Sequence, residues 1–191
     1  MRAKGPGQSA LLLLDVIGVL NALRVPYAIV GAMAASFYGV VRASLDADAV
    51  VSLRAGRVDV NTLVERIEKA GLKNTYRTGD FREPIGATLR VEDPFNNRAD
   101  LLMDIRGMTD AAFARAVDAH VRKVKVRMIG LEDFIAMKLF AGSPKDLSDA
   151  AGALAVSSRT LKLALLREVV QPYGRDASQR LRALLEARRP R

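Results

Sequence analysis

The chain has 191 residues, half of them hydrophobic and 27% charged, which suits one compact core and excludes a disordered or fibrous chain. It has no cysteine and a single histidine, His120, so disulfide frameworks, thiolate nucleophiles, thiolate zinc sites and histidine-based metal clusters are excluded. The net charge is +9, from 30 basic against 21 acidic side chains, and 22 of the basic ones are arginine; this balance favours a polyanionic partner such as a nucleic acid.

Residues 10–20 are the most apolar stretch, with Arg2 and Lys4 ahead of them as in a signal peptide. Asp15 interrupts the run, no small-residue cleavage site follows, and about 11 residues are too few to span a bilayer. A soluble, cytoplasmic protein with no membrane partner is therefore expected. Leu12, Val16, Val19, Leu20 and Leu23 recur at helical spacing and predict a buried amphipathic helix. Pro26 ends it, and residues 27–30 read as a short buried strand closed by Gly31. Small residues from Ala32 to Ser36 open a short helix that ends near Gly39, and residues 45–53 read as a valine-rich strand.

Residues 58–70 have helical periodicity up to Gly71. The polar stretch 73–92, with Gly79, Pro84 and Gly86, reads as a loop followed by one strand at 87–91. After a turn at 93–97, residues 99–105 form another strand, 111–117 a short helix and 121–128 a strand that His120 begins. Only helices follow, at 131–141, 145–155, 159–170 and 176–187. The pattern predicts an α+β fold, a small mixed sheet flanked by helices and followed by a helical C-terminal part. The division falls softly at 130, giving 1–130 and 131–191, with a single domain as the alternative.

The chemistry concentrates in carboxylates. Asp46 and Asp48 lie two apart on a strand, so both leave it on the same face. Asp100 begins the strand 99–105, and Asp104 shares its face. Three carboxylates on adjacent strand faces repel unless cations neutralise them. Hard divalent ions, usually Mg2+, do so, and a pair of them can clamp an in-line phosphoryl displacement. The alternative for an isolated Asp-x-Asp is a pair of ordinary solvated or turn residues. Upstream, the strand that runs through Gly31-Ala32 into a helix presents backbone amides at a helix start, a suitable phosphate site.

The segment from Tyr27 to Val51 contains this turn, then Arg42-Ala-Ser44-Leu-Asp46-Ala-Asp48. It resembles the signature of the DNA polymerase β-like nucleotidyltransferase superfamily: strand, Gly-Gly or Gly-Ser turn, helix, and an Arg-x-Thr/Ser-x-Asp-x-Asp strand. A third aspartate on a later strand completes that signature, and Asp100 matches it, with Asp104 as the alternative. The segment 129–149, with Lys138, Lys145-Asp146 and Asp149, is similar to the Lys…Lys-Asp-x-x-Asp motif of the AbiEii-type toxin nucleotidyltransferases. The two signatures cover roughly residues 27–155. Ala32 departs from the pattern, since many members carry serine or a second glycine there and a serine hydroxyl would contact the triphosphate.

The resemblance implies an NTP donor and two Mg2+ ions held by Asp46, Asp48 and Asp100. It also implies phosphates cradled at Gly31 and Ala32, and Arg42 and Ser44 shaping the nucleotide pocket; their plain reading is a solvated turn. Lys138 falls on the apolar stripe of its helix with Leu131, Phe134 and Ile135, which means either snorkelling to the surface or a held cation. The resemblance implies that it faces the triphosphate and stabilises the leaving pyrophosphate. Asp146 has a rival explanation, because Ser143-Pro144-Lys145-Asp146 reads as a helix cap with an acid at its third position. Asp149 shares the helix face of Asp146 and capping does not explain it.

His120 reads as structural or exposed, and the four tyrosines are too scattered to stack bases. The C-terminal helices carry Arg159, Lys162, Arg167, Arg175, Arg180, Arg182, Arg188, Arg189 and Arg191, which form either a solvated basic face or a footprint for an RNA backbone. The expected activity is transfer of a nucleoside monophosphate from an NTP to an acceptor hydroxyl, with release of pyrophosphate. The resemblance and the charge point to RNA, specifically tRNA, in a toxin–antitoxin pair with an antitoxin protein as partner. The alternatives are a small-molecule acceptor such as an antibiotic, a protein acceptor, or an inactive RNA- or partner-binding module.

Overall fold

The apolar run near the N-terminus folds into helix α1, Ser9–Ala22, in a computed structural model that describes residues 2–157 and 159–187. Leu12, Leu13, Leu14, Val16, Ile17 and Leu20 are all buried, so this helix is enclosed around most of its circumference. Strand β1 (Tyr27–Ile29) follows, then α2 (Gly31–Phe37), β2 (Asp46–Val51), the single turn α3 (Leu53–Gly56) and α4 (Val60–Lys69). Next come β3 (Lys73–Thr78), β4 (Ile85–Glu92), β5 (Arg98–Ile105), α5 (Ala111–Arg115), β6 (Val117–Val121) and β7 (Val124–Met128). The remainder is α6 (Leu131–Ala141), α7 (Pro144–Val156), α8 (Leu163–Val170), a 3-10 turn at Gln171–Tyr173, and α9 (Arg175–Glu186).

The fold is α+β. A mixed seven-stranded sheet in the order β3-β4-β5-β2-β1-β7-β6 carries helices around it, and the chain past β7 is helical. Buried apolar side chains form one cluster from Ala3 to Leu181. No helix among the described residues is long and apolar enough to cross a membrane.

Several local expectations are corrected. The polar stretch 73–92 is not a loop with one strand but the hairpin β3–β4, with β3 at the sheet edge and mostly exposed, so it carries no buried alternation to read. The strand expected at 121–128 is also a hairpin, turned at Arg122-Lys123, and His120 lies near the end of β6 rather than at a strand start. Arg122 takes φ 54° in that turn without the glycine or asparagine that usually marks one. The helix expected from residue 159 begins at Leu163, and the helix expected from 58 begins at Val60, capped by Asp59, which accepts from Thr62 N.

Two features set the position of the site. β2 lies between β1, antiparallel to it, and β5, parallel to it, with Asp48 level with Asp100 and Asp46 level with Arg98. Ala47, Ala49, Ala99 and Leu101 occupy the alternate positions and are buried, on the side where α1 packs across β2 and β5. Side-chain bonds fasten the helical half to the sheet and hold its own helices together. Tyr38, just past α2, donates to Ile129 O (2.5 Å) immediately before α6, and burial beside Glu132 and Asp133 pushes its hydroxyl pKa upward. Arg180 on α9 donates to Leu139 O (2.7 Å) and Phe140 O (3.2 Å), placing a cation at the negative end of α6. Arg180 is therefore not part of a solvated basic face. Arg188, Arg189 and Arg191 lie outside the described residues.

Candidate functional site

β1 ends against the start of α2, and the turn between them is built around Gly31, whose φ of 62° belongs to the left-handed region. A Cβ there would fall 2.0 Å from Asp48 Oδ2, so Asp48 lies directly against the glycine backbone and only glycine leaves it room. Ala32, next in the turn, is buried.

Asp48 is crowded. Burial, and after it repulsion from Asp100 and Asp46, push its pKa up to about 6, while Lys138 and Arg42 pull it partly back. Its ionised form is thus held close to other negative charge in a poorly solvated place. Asp100 is the one acid of the three with a strong partner: Arg90, directly opposite on β4, donates from Nε to Oδ1 (2.9 Å) and from Nη2 to Oδ2 (3.0 Å). Asp104 is exposed, further along the same strand.

Among the described residues no group of three or more carboxylates or histidines converges closely enough to hold one metal ion. The donor set nevertheless suits a hard divalent cation: carboxylate oxygens only, two of them on one strand face, with the repulsion on Asp48 that such an ion relieves. Asp46 and Asp48 carry no side-chain ion pair among the described residues, whereas Asp100 would have to share its carboxylate with Arg90.

The second acidic group lies on the helices. Lys138 Nζ on α6 contacts Asp146 Oδ1 (2.7 Å) and Asp149 Oδ2 (2.9 Å) on α7, and Asp149 also accepts from Arg42 Nη1 (2.6 Å). The Asp149 side chain is only 5% exposed and that of Lys138 12%, so Lys138 does not snorkel to solvent. Its Nζ also lies 5.8 Å from the centroid of the Phe134 ring. Asp146 takes part in the α7 cap and also binds Lys138. Its N–H donates to Ser143 Oγ (3.2 Å) in the α7 cap, Ser143 Oγ donates back to Oδ2 (2.6 Å), and Oδ1 takes Lys138. Burial raises its pKa, but the bonds from Lys138 and Ser143 outweigh that and hold it below the usual carboxylate value. Arg42 is no solvated turn residue, because its Nε is buried without a hydrogen-bond partner among the described residues. Ser44 is exposed.

A cleft of about 450 Å³ joins the two groups, lined by Gly31, Arg42, Asp48, Lys138 and Asp146 with an apolar side from Ile85, Leu102 and Phe140. Arg106 grips its rim by donating to Phe81 O (2.6 Å) and Glu83 O (2.9 Å) of the β3–β4 turn. The partners that the sequence reading missed are Arg90, Arg106 and Tyr38. Arg90 was within reach: antiparallel pairing across the 93–97 turn sets it opposite Asp100. The others depend on tertiary approach that no spacing encodes.

No protein-family model matches the sequence, and no curated protein matches it. Solved structures do match its fold. An antigenic nucleotidyltransferase-like protein from Paracoccidioides brasiliensis aligns over 97% of this chain and 91% of its own, with TM-score 0.58 and 16% identity. The ANT(2'')-Ia structure in complex with adenylyl-2''-tobramycin aligns over 87% and 96%, with TM-score 0.55 and 16% identity. A putative nucleotidyltransferase from Thermotoga maritima aligns over 73% and 88%, with TM-score 0.54 and 12% identity. The chain has the nucleotidyltransferase fold.

Proposed function

We propose that the chain transfers a nucleoside monophosphate from an NTP to an acceptor hydroxyl, with RNA, and within RNA a tRNA, as the acceptor. The observation that carries this reading is the level placement of Asp48 and Asp100 on adjacent parallel strands, with Asp46 two residues before and the Gly31 backbone against Asp48. In this reading Asp46, Asp48 and Asp100 hold Mg2+, as two ions, and the cleft takes the triphosphate. Bound there, Mg2+ supplies Lewis-acid polarisation of the phosphates and neutralises developing charge.

The chain's own groups do the rest. The Gly31-Ala32 backbone, with no side chain at Gly31, lets the phosphates approach closely. Asp100 accepts the acceptor's hydroxyl proton as the acceptor oxygen bonds to the α-phosphorus, the bond from that phosphorus to the β-phosphate oxygen breaks, and pyrophosphate leaves. Lys138 faces the leaving group with its geometry fixed by Asp146 and Asp149. Arg90 holds the plane of Asp100. Arg42 borders the cleft, while Ser44, expected to shape the nucleotide pocket, lines a neighbouring groove with Asp46.

The net charge of +9 supports a polyanionic acceptor, and a toxin paired with an antitoxin protein is the setting that the motif at Lys138–Asp149 suggests. A second reading, a small-molecule acceptor, is favoured by the apolar side of the cleft and by the ANT(2'')-Ia likeness.

The test is label transfer. Protein, Mg2+ and each α-labelled NTP are incubated with total RNA, with tobramycin, and with neither, beside the Asp46→Ala/Asp48→Ala protein. Label on tRNA-sized RNA that requires both aspartates is the expected result. Label on tobramycin alone replaces the acceptor, and no label anywhere overturns the reading.

A further inference from the structure

The basic side chains of the two halves keep different company. Around the sheet, Arg54, Arg77, Arg90 and Arg98 each face a carboxylate at 2.6–3.0 Å. Past α7, Arg159, Lys162, Arg167, Arg175 and Arg182 are all exposed, and none forms an ion pair among the described residues. Glu168, Asp176 and Glu186 are the acids of that segment, so it is net positive.

Two of these cations share a built depression. A groove of about 410 Å³ lies between α8 and α9, and it shares no lining residue with the cleft. Arg167 and Gln171 line it from one side and Ser178 and Arg182 from the other, over the buried Val170 and Leu181. Glu186 also lines it and leaves it with an excess of one positive charge. Arg175 precedes Ser178 by three positions and Arg182 by seven, so it extends the same face of α9.

No aromatic side chain lines the groove, so it offers unstacked bases no platform. Arginines on two packed helices, with hydroxyl and amide groups between them, suit the phosphates of a paired strand, which are gripped without reading the bases. A lipid surface fits less well, because the apolar Ala177 and Leu181 of α9 are already buried in the protein. The groove is also fixed relative to the cleft. Arg180 holds the end of the helix that carries Lys138, and Arg182, two positions on, leaves α9 about 200° away. Just ahead of α9, the Tyr173 ring packs on Phe140 of α6 at 5.1 Å between centroids.

We propose that the α8–α9 groove is a docking site for the backbone of a base-paired RNA segment, held by Arg167, Arg175 and Arg182. The proposal rests on the reading of RNA as the acceptor and not on the transfer chemistry. This surface grips the body of the RNA, and the reaction centre has only its end to recognise.

The test measures binding and transfer separately. A fluorescein-labelled RNA hairpin is titrated, without NTP and over a range of salt, against the wild-type chain and two double variants. One is Arg167→Ala/Arg182→Ala. The other, Arg57→Ala/Arg66→Ala, removes the same charge from exposed arginines of the α3–α4 region that also lack an ion pair among the described residues. Losing two phosphate contacts is expected to weaken binding about tenfold and to flatten the slope of log K against log salt by about 1.8. The α3–α4 variant is expected to bind within about twofold of wild type. In label transfer the groove variant should raise KM for RNA about tenfold with kcat unchanged. Melting temperatures check that both variants are folded.

Equal weakening in the two variants reduces the effect to net charge and overturns the docking site. So does a groove variant that binds as tightly as wild type, or a wild-type chain that binds no hairpin. Binding to vesicles of anionic phospholipid but not to the hairpin overturns it in favour of a membrane surface. If the groove variant loses RNA binding and no α-label moves to any acceptor, the docking site stands and the transferase reading falls. If label moves to RNA with the same KM in wild type and groove variant, the transferase reading stands and the docking site falls.

Discussion

Two acidic clusters face one cleft, and they have opposite energetics. On the sheet, Asp48 repels Asp46 and Asp100 and its charge is raised in energy. On the helices, Asp146 and Asp149 face two cations, Lys138 and Arg42, at 2.6–2.9 Å. The same residue type is thus frustrated in one place and neutralised in the other. In the proposed reading the frustrated cluster takes up a cation, while the neutralised one joins α6 to α7 and presents a fixed cation to the cleft. Residue identity alone does not separate these roles; the company each carboxylate keeps does.

The largest effect expected on this contrast comes from Asp149→Ala. It removes the carboxylate that faces Arg42 in a poorly solvated place and leaves Lys138 with Asp146 alone, and chemical denaturation should show a loss of about 3 kcal/mol. A loss below about 1 kcal/mol would mean that the helical cluster does not hold the wall.

Asp48→Asn should act with the opposite sign. The native carboxyl titrates near 6 against 3.8 in the unfolded chain, so its favourable contribution is complete below about pH 4 and is lost as pH rises through 6. Without added metal, the wild-type chain should therefore lose about 2 kcal/mol of stability between pH 4 and 7 from this group. The asparagine variant should lack that dependence, be more stable at pH 7, and show no transfer. Denaturation curves at the two pH values decide it, and a wild-type profile no steeper than the variant's removes the frustration.

Gly31→Ala tests how tightly the frustrated acid is held. The added Cβ meets Asp48 Oδ2 in a left-handed backbone, so a loss of about 1–3 kcal/mol is expected, together with weaker stabilisation by Mg2+ and NTP. A melting curve that matches wild type would contradict it. The smallest effect belongs to Ser143→Ala, about 1 kcal/mol for the α7 cap, with Lys138 still bound by both acids. A larger loss would show that the cap and the Lys138 network act as one unit.

Much of this was legible in the sequence, and its limits have physical causes. Alternation at Asp46, Ala47, Asp48 and Ala49 announces which side chains share a face, and the parallel pairing with β5 keeps Asp100 on it. The cap at Ser143-Pro144 is local and is found as read. β3 escaped because an edge strand with an exposed face needs no apolar period, and the β6–β7 turn escaped because Arg122 fills a position where glycine or asparagine is usual. The burial of Asp149 escaped because helical spacing aligns it with Asp146 and says nothing of Arg42, 107 residues away.

The bond from Tyr38 to Ile129 has a mechanical consequence. It fastens the helix that follows the glycine turn to the chain entering the helix that carries Lys138, so the floor and one jaw of the cleft travel as a single piece. The other jaw, the tip of the β3–β4 hairpin, is held separately, by Arg106 through the main-chain carbonyls of Phe81 and Glu83, so the mouth is built from two pieces with independent fastenings.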